Sequence, residues 1–316
     1  MLLLYTRTAI DPTLAATVAR YAAAGVATNT QRAYRSAWLG FESWCARQSL
    51  SALPAAPYTC AAYLADRATE LRPSSLAVHL AAIAQAHAAA GLPSPTGSSE
   101  VAAVFRGVRR EHGTVPEKKT ALTPSDLRTL VLSLSSTTRD LRDRALLLLG
   151  FCGGFRRSEL VGLDVSDVKF RGEGMLITLR KSKTDQESRG RVVAVEHGVR
   201  PETCAGTALE DWLSAAGGKD GPLFRAVNRH GSVGRERLNG RAVARILQRR
   251  ARGAGLPADN LAGHSLRSGL ATAAANAGVD ERHIAGRTGH INLRVLRGYV
   301  HEADPFAAGV TQRLGF

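Results

Sequence analysis

Residues 175–195 read MLITLRKSKTDQESRGRVVAV, and they decide how the second half of the chain folds. Two short apolar runs rich in β-branched residues, MLITLR (175–180) and RVVAV (191–195), flank the polar stretch KSKTDQESRG (181–190). Such runs on either side of a polar loop predict a β-hairpin with its tip at the lysines. Apolar residues at helical spacing surround the hairpin on both sides, in LRDRALLLLGF (141–151), RRSELVGL (156–163), AGTALEDWLSAAG (205–217), GRAVARILQRRARG (240–253), SLRSGLATAAANAG (265–278) and DERHIAGRTG (280–289). The predicted class is therefore mainly α with a small antiparallel β-sheet, an α+β arrangement.

The first half differs. TQRAYRSAWLGFESWCARQ (30–48) carries Tyr34, Trp38, Phe41 and Cys45 on one helical stripe, with Asn29 or Thr30 as the expected N-cap. Helical patterns recur through 57–71, 74–91 and 99–113, separated by Pro, Gly and Ser clusters, so residues 1–113 are expected to be all-helical. GTVPEKKTALTPSD (113–126) is polar, with two prolines and a Lys-Lys pair, and a new helix start is expected at Ser125 or Asp126. The expected organisation is a helical domain at 1–113, a linker at 114–124 and a second domain at 125–316.

Composition bounds what these domains can do. The 316 residues include 44% hydrophobic ones, enough for two cores, and the formal charge is +15 with an excess of Arg over Lys. Residues 1–115 hold 10 Lys+Arg against 6 Asp+Glu, and the remainder hold 32 against 21. Such a balance favours a polyanionic partner over small neutral metabolites. Four scattered cysteines, Cys45, Cys60, Cys152 and Cys204, form no Cys-x-x-Cys pair and read as reduced thiols. No stretch reaches the roughly 18 apolar residues of a membrane span, so a soluble, cytoplasmic protein is expected.

Several polar residues suit phosphoryl transfer, which needs cations on the nonbridging oxygens, a nucleophile in line and a proton for the leaving oxygen. GGFRRSEL (153–160) presents Arg156 after two turn-forming glycines. GHSLRSG (263–269) sets His264 and Arg267 three apart, neighbours on one face of a helix. TGHINLRVLRGY (288–299) supplies His290 and, nine residues on, Tyr299. Lys181 and Lys183 share a face at the hairpin tip by the strand period of two.

In that order, GFRRSEL, SKT, HSLR, TGH and Tyr299 resemble the signature of the tyrosine recombinase family, the phage integrases. TNTQRAYRSAWLGFESWC (28–45) and SSLAVHLAAIAQAHAAAGLPSP (74–95) are similar to that family's helical core-binding domain, so the resemblance spans nearly the whole chain. It implies that Arg156 and Arg267 hold the scissile phosphate, with His264 as hydrogen-bonding group or proton acceptor, His290 at the family's His/Trp position and Glu159 in support. Tyr299 would attack phosphorus, giving a 3′-phosphotyrosyl bond. Lys183, or the alternative Lys181, would protonate the leaving 5′ oxygen. No metal, nucleotide or other cofactor is required.

A grip on double-stranded DNA is expected from Thr30, Arg32 and Arg35, from Arg106, Arg109 and Arg110, and from Arg241 and Arg245, which with Arg249 and Arg252 form a stripe on one helix face. A solvated helix face explains that stripe equally well. In VHEADPFAAGVTQRLGF (300–316), Phe306, Val310 and Leu314 recur at steps of four. The resemblance implies a helix there that docks on a neighbouring protomer, linking a homotetramer on inverted-repeat sites, nucleoid-associated in the cell. Docking within its own domain is the simpler alternative. Two other functions fit part of the pattern: a type IB topoisomerase-like nicking-closing enzyme and a catalytically silent DNA-binding module.

Overall fold

The computed structural model describes residues 11–25, 27–114, 119–180, 190–218, 220–290 and 296–298. It divides into two compact units, Met1–Glu117 and Lys118–Phe316. Among the described residues the first unit holds five α-helices: α1 (Pro12–Ala24), α2 (Thr28–Arg47), α3 (Pro57–Arg67), α4 (Pro73–Ala89) and α5 (Ser99–His112). Proline opens α3 and α4 at a position where its missing N–H costs no hydrogen bond. The Ser98 hydroxyl caps α5 by accepting the Val101 N–H at 3.2 Å. Phe41, Trp44 and Cys45 of α2 meet Cys60, Tyr63 and Leu64 of α3, Leu76 and Ile83 of α4, and Val101 and Val108 of α5 in one buried cluster. His87 on α4 is fully buried, with Nδ1 2.8 Å from the Ile83 carbonyl and Nε2 accepting the Ala55 N–H at 3.0 Å.

The second unit contains α6 (Pro124–Leu132), α7 (Thr138–Cys152), α8 (Arg157–Gly162), β1 (Val168–Arg171), β2 (Gly174–Leu179), β3 (Arg191–Glu196), α9 (Ala205–Ala216), β4 (Arg225–Val227), β5 (Val233–Arg237), α10 (Gly240–Gly253), α11 (Ser265–Asn276) and α12 (Glu281–Thr288). Helix α7 is the axle of this unit. Ala145, Leu146, Leu147, Leu148 and Leu149 are all at most 1% exposed, the pattern of a helix covered on every side. The hairpin forms as read: β2 pairs antiparallel with β3, with Met175 opposite Val195, Ile177 opposite Val193 and Leu179 opposite Arg191. Strand β1 adds to its other edge, giving the order β1-β2-β3. Met175, Ile177, Leu179, Val193 and Val195 turn one face of this sheet into the core.

Two expectations are corrected and one element is added. Helix α2 begins at Thr28 behind Ala27, so neither Asn29 nor Thr30 is its N-cap; Asn29 instead accepts a hydrogen bond from Arg32 Nη1 at 3.1 Å. Helix α6 begins at Pro124, capped by the Thr123 hydroxyl on the Asp126 N–H, earlier than Ser125 or Asp126, because the proline supplies the first helical residue. A second two-stranded sheet, β4 with β5, lies at 225–237, where alternation is too weak to announce strands: four of the five β5 residues are exposed.

The chain entering this unit is stitched to the turn before α11 and to the first residue of α11. The Thr120 N–H donates to the Asn260 carbonyl (3.1 Å) and the Leu122 N–H to the Ser265 carbonyl (3.0 Å). Opposite them Gly269 faces the Leu122 carbonyl oxygen so closely that a Cβ would collide with it, and would also stand 2.8 Å from the Phe151 ring. Gly269→Ala should therefore destabilise the unit by about 3 kcal/mol, since the obstacle is backbone that cannot swing aside. Urea unfolding of the variant checks this; a change below about 0.5 kcal/mol, the scale of a neutral surface substitution, would refute the packing argument.

Candidate active site

Four separated segments build the site. The turn Gly153-Gly154 leads into Arg156, the N-cap residue of α8. Its extended backbone (φ −65°, ψ 148°) leaves its N–H free to donate to Glu159 Oε2 at 2.8 Å, while Arg156 Nη1 meets Glu159 Oε1 at 2.7 Å. Glu159 thus holds Arg156 by both backbone and guanidinium, and its own side chain is only 1% exposed. A carboxylate in the first turn also lies favourably in the field of the helix N-terminus. Glu159 is therefore a buried carboxylate that fixes Arg156 in place.

His264 and Arg267 come from the start of α11, His264 at the N-cap position and Arg267 in the first turn. Arg267 is 1% exposed and points inward, where Nη1 donates to the Gly154 carbonyl at 2.9 Å and to the Thr288 carbonyl. His290 follows α12 through Gly289, whose left-handed backbone (φ 67°) ends the helix. The His290 Nδ1 lies 2.8 Å from the Thr288 hydroxyl. Arg156 Nη2 donates to the Gly289 carbonyl at 3.1 Å, so the α8 and α12 segments meet directly.

A third arginine joins them that sequence reading did not select. Arg191, the first residue of β3, donates through Nη1 to the carbonyls of Gly286 (3.0 Å) and Arg287 (2.6 Å), and through Nη2 to Glu159 Oε2 (3.4 Å). The signal was present in the register. Arg191 lies opposite Leu179 and shares the inward face with Val193 and Val195, a place where a cation needs a buried partner. Burial pushes the Arg191 guanidinium below its usual range, opposed by Glu159 and reinforced by the nearby Arg156 cation.

Electrostatics follow from this composition, three guanidiniums around one carboxylate. His264 is exposed as a residue, yet desolvation of its ring, then the Arg267 and Arg156 cations, lower its pKa. His290 is pushed down to about 4, by burial first and then by Arg267, Arg156, His264 and Arg191. Both imidazoles are therefore neutral at pH 7, while the arginines keep their charge. The cations rest on fixed backbone carbonyls, so a net positive, preorganised site stands ready for an anion such as a phosphodiester.

The structure thus brings together Arg156, Glu159, His264, Arg267 and His290. Lys181, Lys183, Tyr299 and the C-terminal segment 303–316 lie outside the described residues. Among the candidate DNA contacts, Thr30, Arg32 and Arg35 on α2, Arg106, Arg109 and Arg110 on α5, and Arg241 and Arg245 on α10 are all exposed. The longer α10 stripe is corrected. Arg249 binds the buried Asp143 (3.0 Å) beside Arg142 and Arg250, and Arg252 pairs with Asp259 (3.2 Å), so these two arginines already hold carboxylates.

Comparison with known proteins bears on this geometry. A profile described as the phage integrase family matches residues 120–305. An integrase/recombinase XerD homologue of Selenomonas ruminantium is 34% identical over 292 residues, covering 91% of this chain and 86% of the relative. The chain belongs to the phage integrase family. This tyrosine recombinase is accordingly a site-specific DNA recombination enzyme. It is also similar to the Cre recombinase of Escherichia phage P1, at 28% identity over 83% of this chain and 80% of the phage protein. Among solved structures, a lambda integrase dimer bound to a COC′ core site superposes with TM-score 0.62 over 94% of this chain and 83% of that one, at 18% identity. XerH bound to palindromic difH substrate gives 0.59 over 83% and 73%, also at 18% identity. These last two likenesses concern the fold.

Proposed function

We propose that this recombinase cuts and rejoins duplex DNA through a 3′-phosphotyrosyl intermediate on Tyr299, needing neither metal nor ATP. The observation that carries this reading is the convergence of Arg156 and Arg267, braced by Glu159, with two neutral histidines. In the cleavage step the Tyr299 oxygen bonds to phosphorus as the bond from phosphorus to the 5′ oxygen breaks. Arg156 and Arg267 stabilise the nonbridging oxygens, as bidentate guanidiniums suit. The phenolic proton passes to His264, whose lowered pKa keeps it neutral and able to accept. The leaving 5′ oxygen takes a proton from Lys183, with Lys181 as the alternative donor. Rejoining reverses these steps with another strand's 5′-hydroxyl, and the phosphotyrosyl bond conserves the energy that ligation needs.

The helical residues 1–113 and the catalytic residues 125–316, joined by 114–124, would close around the duplex with the exposed arginines on phosphates. Six to ten such contacts make affinity fall roughly 10³- to 10⁵-fold between 50 and 200 mM salt, a slope that fluorescence anisotropy measures. Lambda integrase, of the same fold, has been solved as a tetramer bound to a Holliday junction. That supports a homotetramer here, linked through the C-terminal helix of 303–316 and assembled on inverted repeats in the nucleoid.

The test is a nicked suicide duplex carrying the inverted repeat and short spacer found in DNA flanking the gene. An adduct between protein and the 3′ phosphate that survives denaturant is the expected result. Binding without any adduct would instead leave a silent DNA-binding module. Relaxation of supercoiled DNA lacking a defined site would favour the topoisomerase-like reading.

A further inference from the structure

Three arginines converge on the end of α12. The last four carbonyls of a helix have no partner inside it, and here the Ala285 carbonyl accepts the N–H groups of Gly289 (2.7 Å) and His290 (3.1 Å). The next three are reached by Arg191, whose Nη1 donates to the carbonyls of Gly286 (3.0 Å) and Arg287 (2.6 Å) and whose Nη2 donates to that of Thr288 (3.4 Å). A side chain from β3 thus caps a helix end some 95 residues further along the chain. The partial negative charge of a helix C-terminus favours a cation at this place.

Gly289 makes room for the cap. A Cβ at Gly289 would stand 2.9 Å from Arg191 Cζ, 3.0 Å from Nε and 3.2 Å from Nη1, so the guanidinium fills the space that any larger residue would claim. The stretch Thr288-Gly289-His290 therefore needs its glycine twice, for the left-handed φ of 67° and as the seat of Arg191.

The partners of Arg191 are shared with the two arginines proposed to hold the phosphate. Arg267 Nη1 rests on the same Thr288 carbonyl, and Arg156 Nη2 rests on the adjoining Gly289 carbonyl at 3.1 Å. Glu159, which Arg191 Nη2 meets at 3.4 Å, holds Arg156 by its backbone N–H and by Nη1. We infer that Arg191 is a positioning residue: it fixes the end of α12 against β3 and so sets the groups that aim Arg156 and Arg267 at the scissile phosphate. The kinetic consequence rests on the phosphodiester reading of the site; the cap does not. Charge alone is not enough for this task, because a planar fork spans three carbonyls and a carboxylate where an ammonium is a single point. A clamp displaced by about 1 Å loses roughly 10²-fold in rate.

Amide hydrogen exchange in the full chain without DNA tests the cap. In Arg191→Lys and Arg191→Met the N–H groups of Gly289 and His290 should exchange about tenfold faster, beyond any change at the Leu146 to Leu149 amides of α7. Single-turnover cleavage of the nicked suicide duplex at saturating protein then tests the consequence. Both variants should lower the rate constant roughly 10²-fold and keep the amplitude, whereas a merely structural loss lowers the amplitude and spares the rate of the folded molecules. Sulfur in place of the bridging 5′ oxygen leaves without a proton, and the deficit should persist on that linkage because Arg191 serves the nonbridging oxygens. Gly289→Ala, which keeps Arg191 and takes its seat, should show the same two changes and stands in if neither Arg191 variant folds. Unaltered exchange at 289 and 290 overturns the inference. So does cleavage by Arg191→Lys within about twofold of wild type, which would reduce Arg191 to a charge, or rescue by the sulfur, which would assign it to the leaving group. Absence of any adduct in wild type overturns the covalent reading instead, and the exchange rates still decide the cap.

Discussion

Tyr299→Phe is expected to abolish the covalent adduct while changing duplex affinity by no more than about twofold. A phenol of reference pKa near 10 is only about 0.1% ionised at neutral pH, so the tyrosine is a weak nucleophile that works only in a cationic site. In the proposed mechanism Arg156, Arg191 and Arg267 would supply that field, with Glu159 among them. Removing one oxygen takes away the attacking atom and almost none of the volume, which separates chemistry from binding. Denaturing gels report the adduct and anisotropy reports affinity. An adduct that persists in the variant would move the nucleophile elsewhere in the chain.

The second large effect belongs to Arg267. Its Nη1 bridges the Gly154 and Thr288 carbonyls from a position 1% exposed to solvent. Lysine keeps the charge, but its compact ammonium cannot hold two carbonyls and still present a fork to a phosphate. Arg267→Lys should slow single-turnover adduct formation roughly 10³-fold, the scale of losing a preorganised donor to a charged transition state. Arg267→Ala should add a stability loss of about 3 kcal/mol, because the buried Gly154 and Thr288 carbonyls lose their donor and a cavity is left. A kinetic loss under tenfold in the lysine variant would remove Arg267 from the reacting phosphate.

Much of this was legible in local pattern. The hairpin showed because its apolar runs alternate against a polar tip, and the helices of both units showed through their periodicity. His264 and Arg267 could be paired because a first helical turn brings residues three apart together. What stayed hidden depends on contacts between distant segments. Arg191 reaches Glu159 and the end of α12 across a sheet edge, and only the register opposite Leu179 marks it as inward. Thr288 looks like any threonine before a glycine until Ile284 and His290 are seen on either side of its hydroxyl. Arg249 reads as one more member of a basic stripe, yet Asp143, buried on α7, holds it. Local caps misled for a simpler reason: Ala27 and Thr123 cap their helices two or three residues before the positions selected from the sequence.

The stitching of residue 120 onto the turn before α11 and of residue 122 onto α11 itself also has a mechanical meaning. Tension on the chain that arrives from the N-terminal side is met at Thr120, whose N–H holds the Asn260 carbonyl in the turn before α11, and then at Leu122, whose N–H holds the Ser265 carbonyl and whose own carbonyl lies against Gly269. The first folded element to feel that pull is therefore the helix that bears His264 and Arg267. A stretched tether would load Arg267, the residue proposed to hold the phosphate, before it loaded the sheet, so force applied between the two units should act first on the proposed chemistry and only later on the fold.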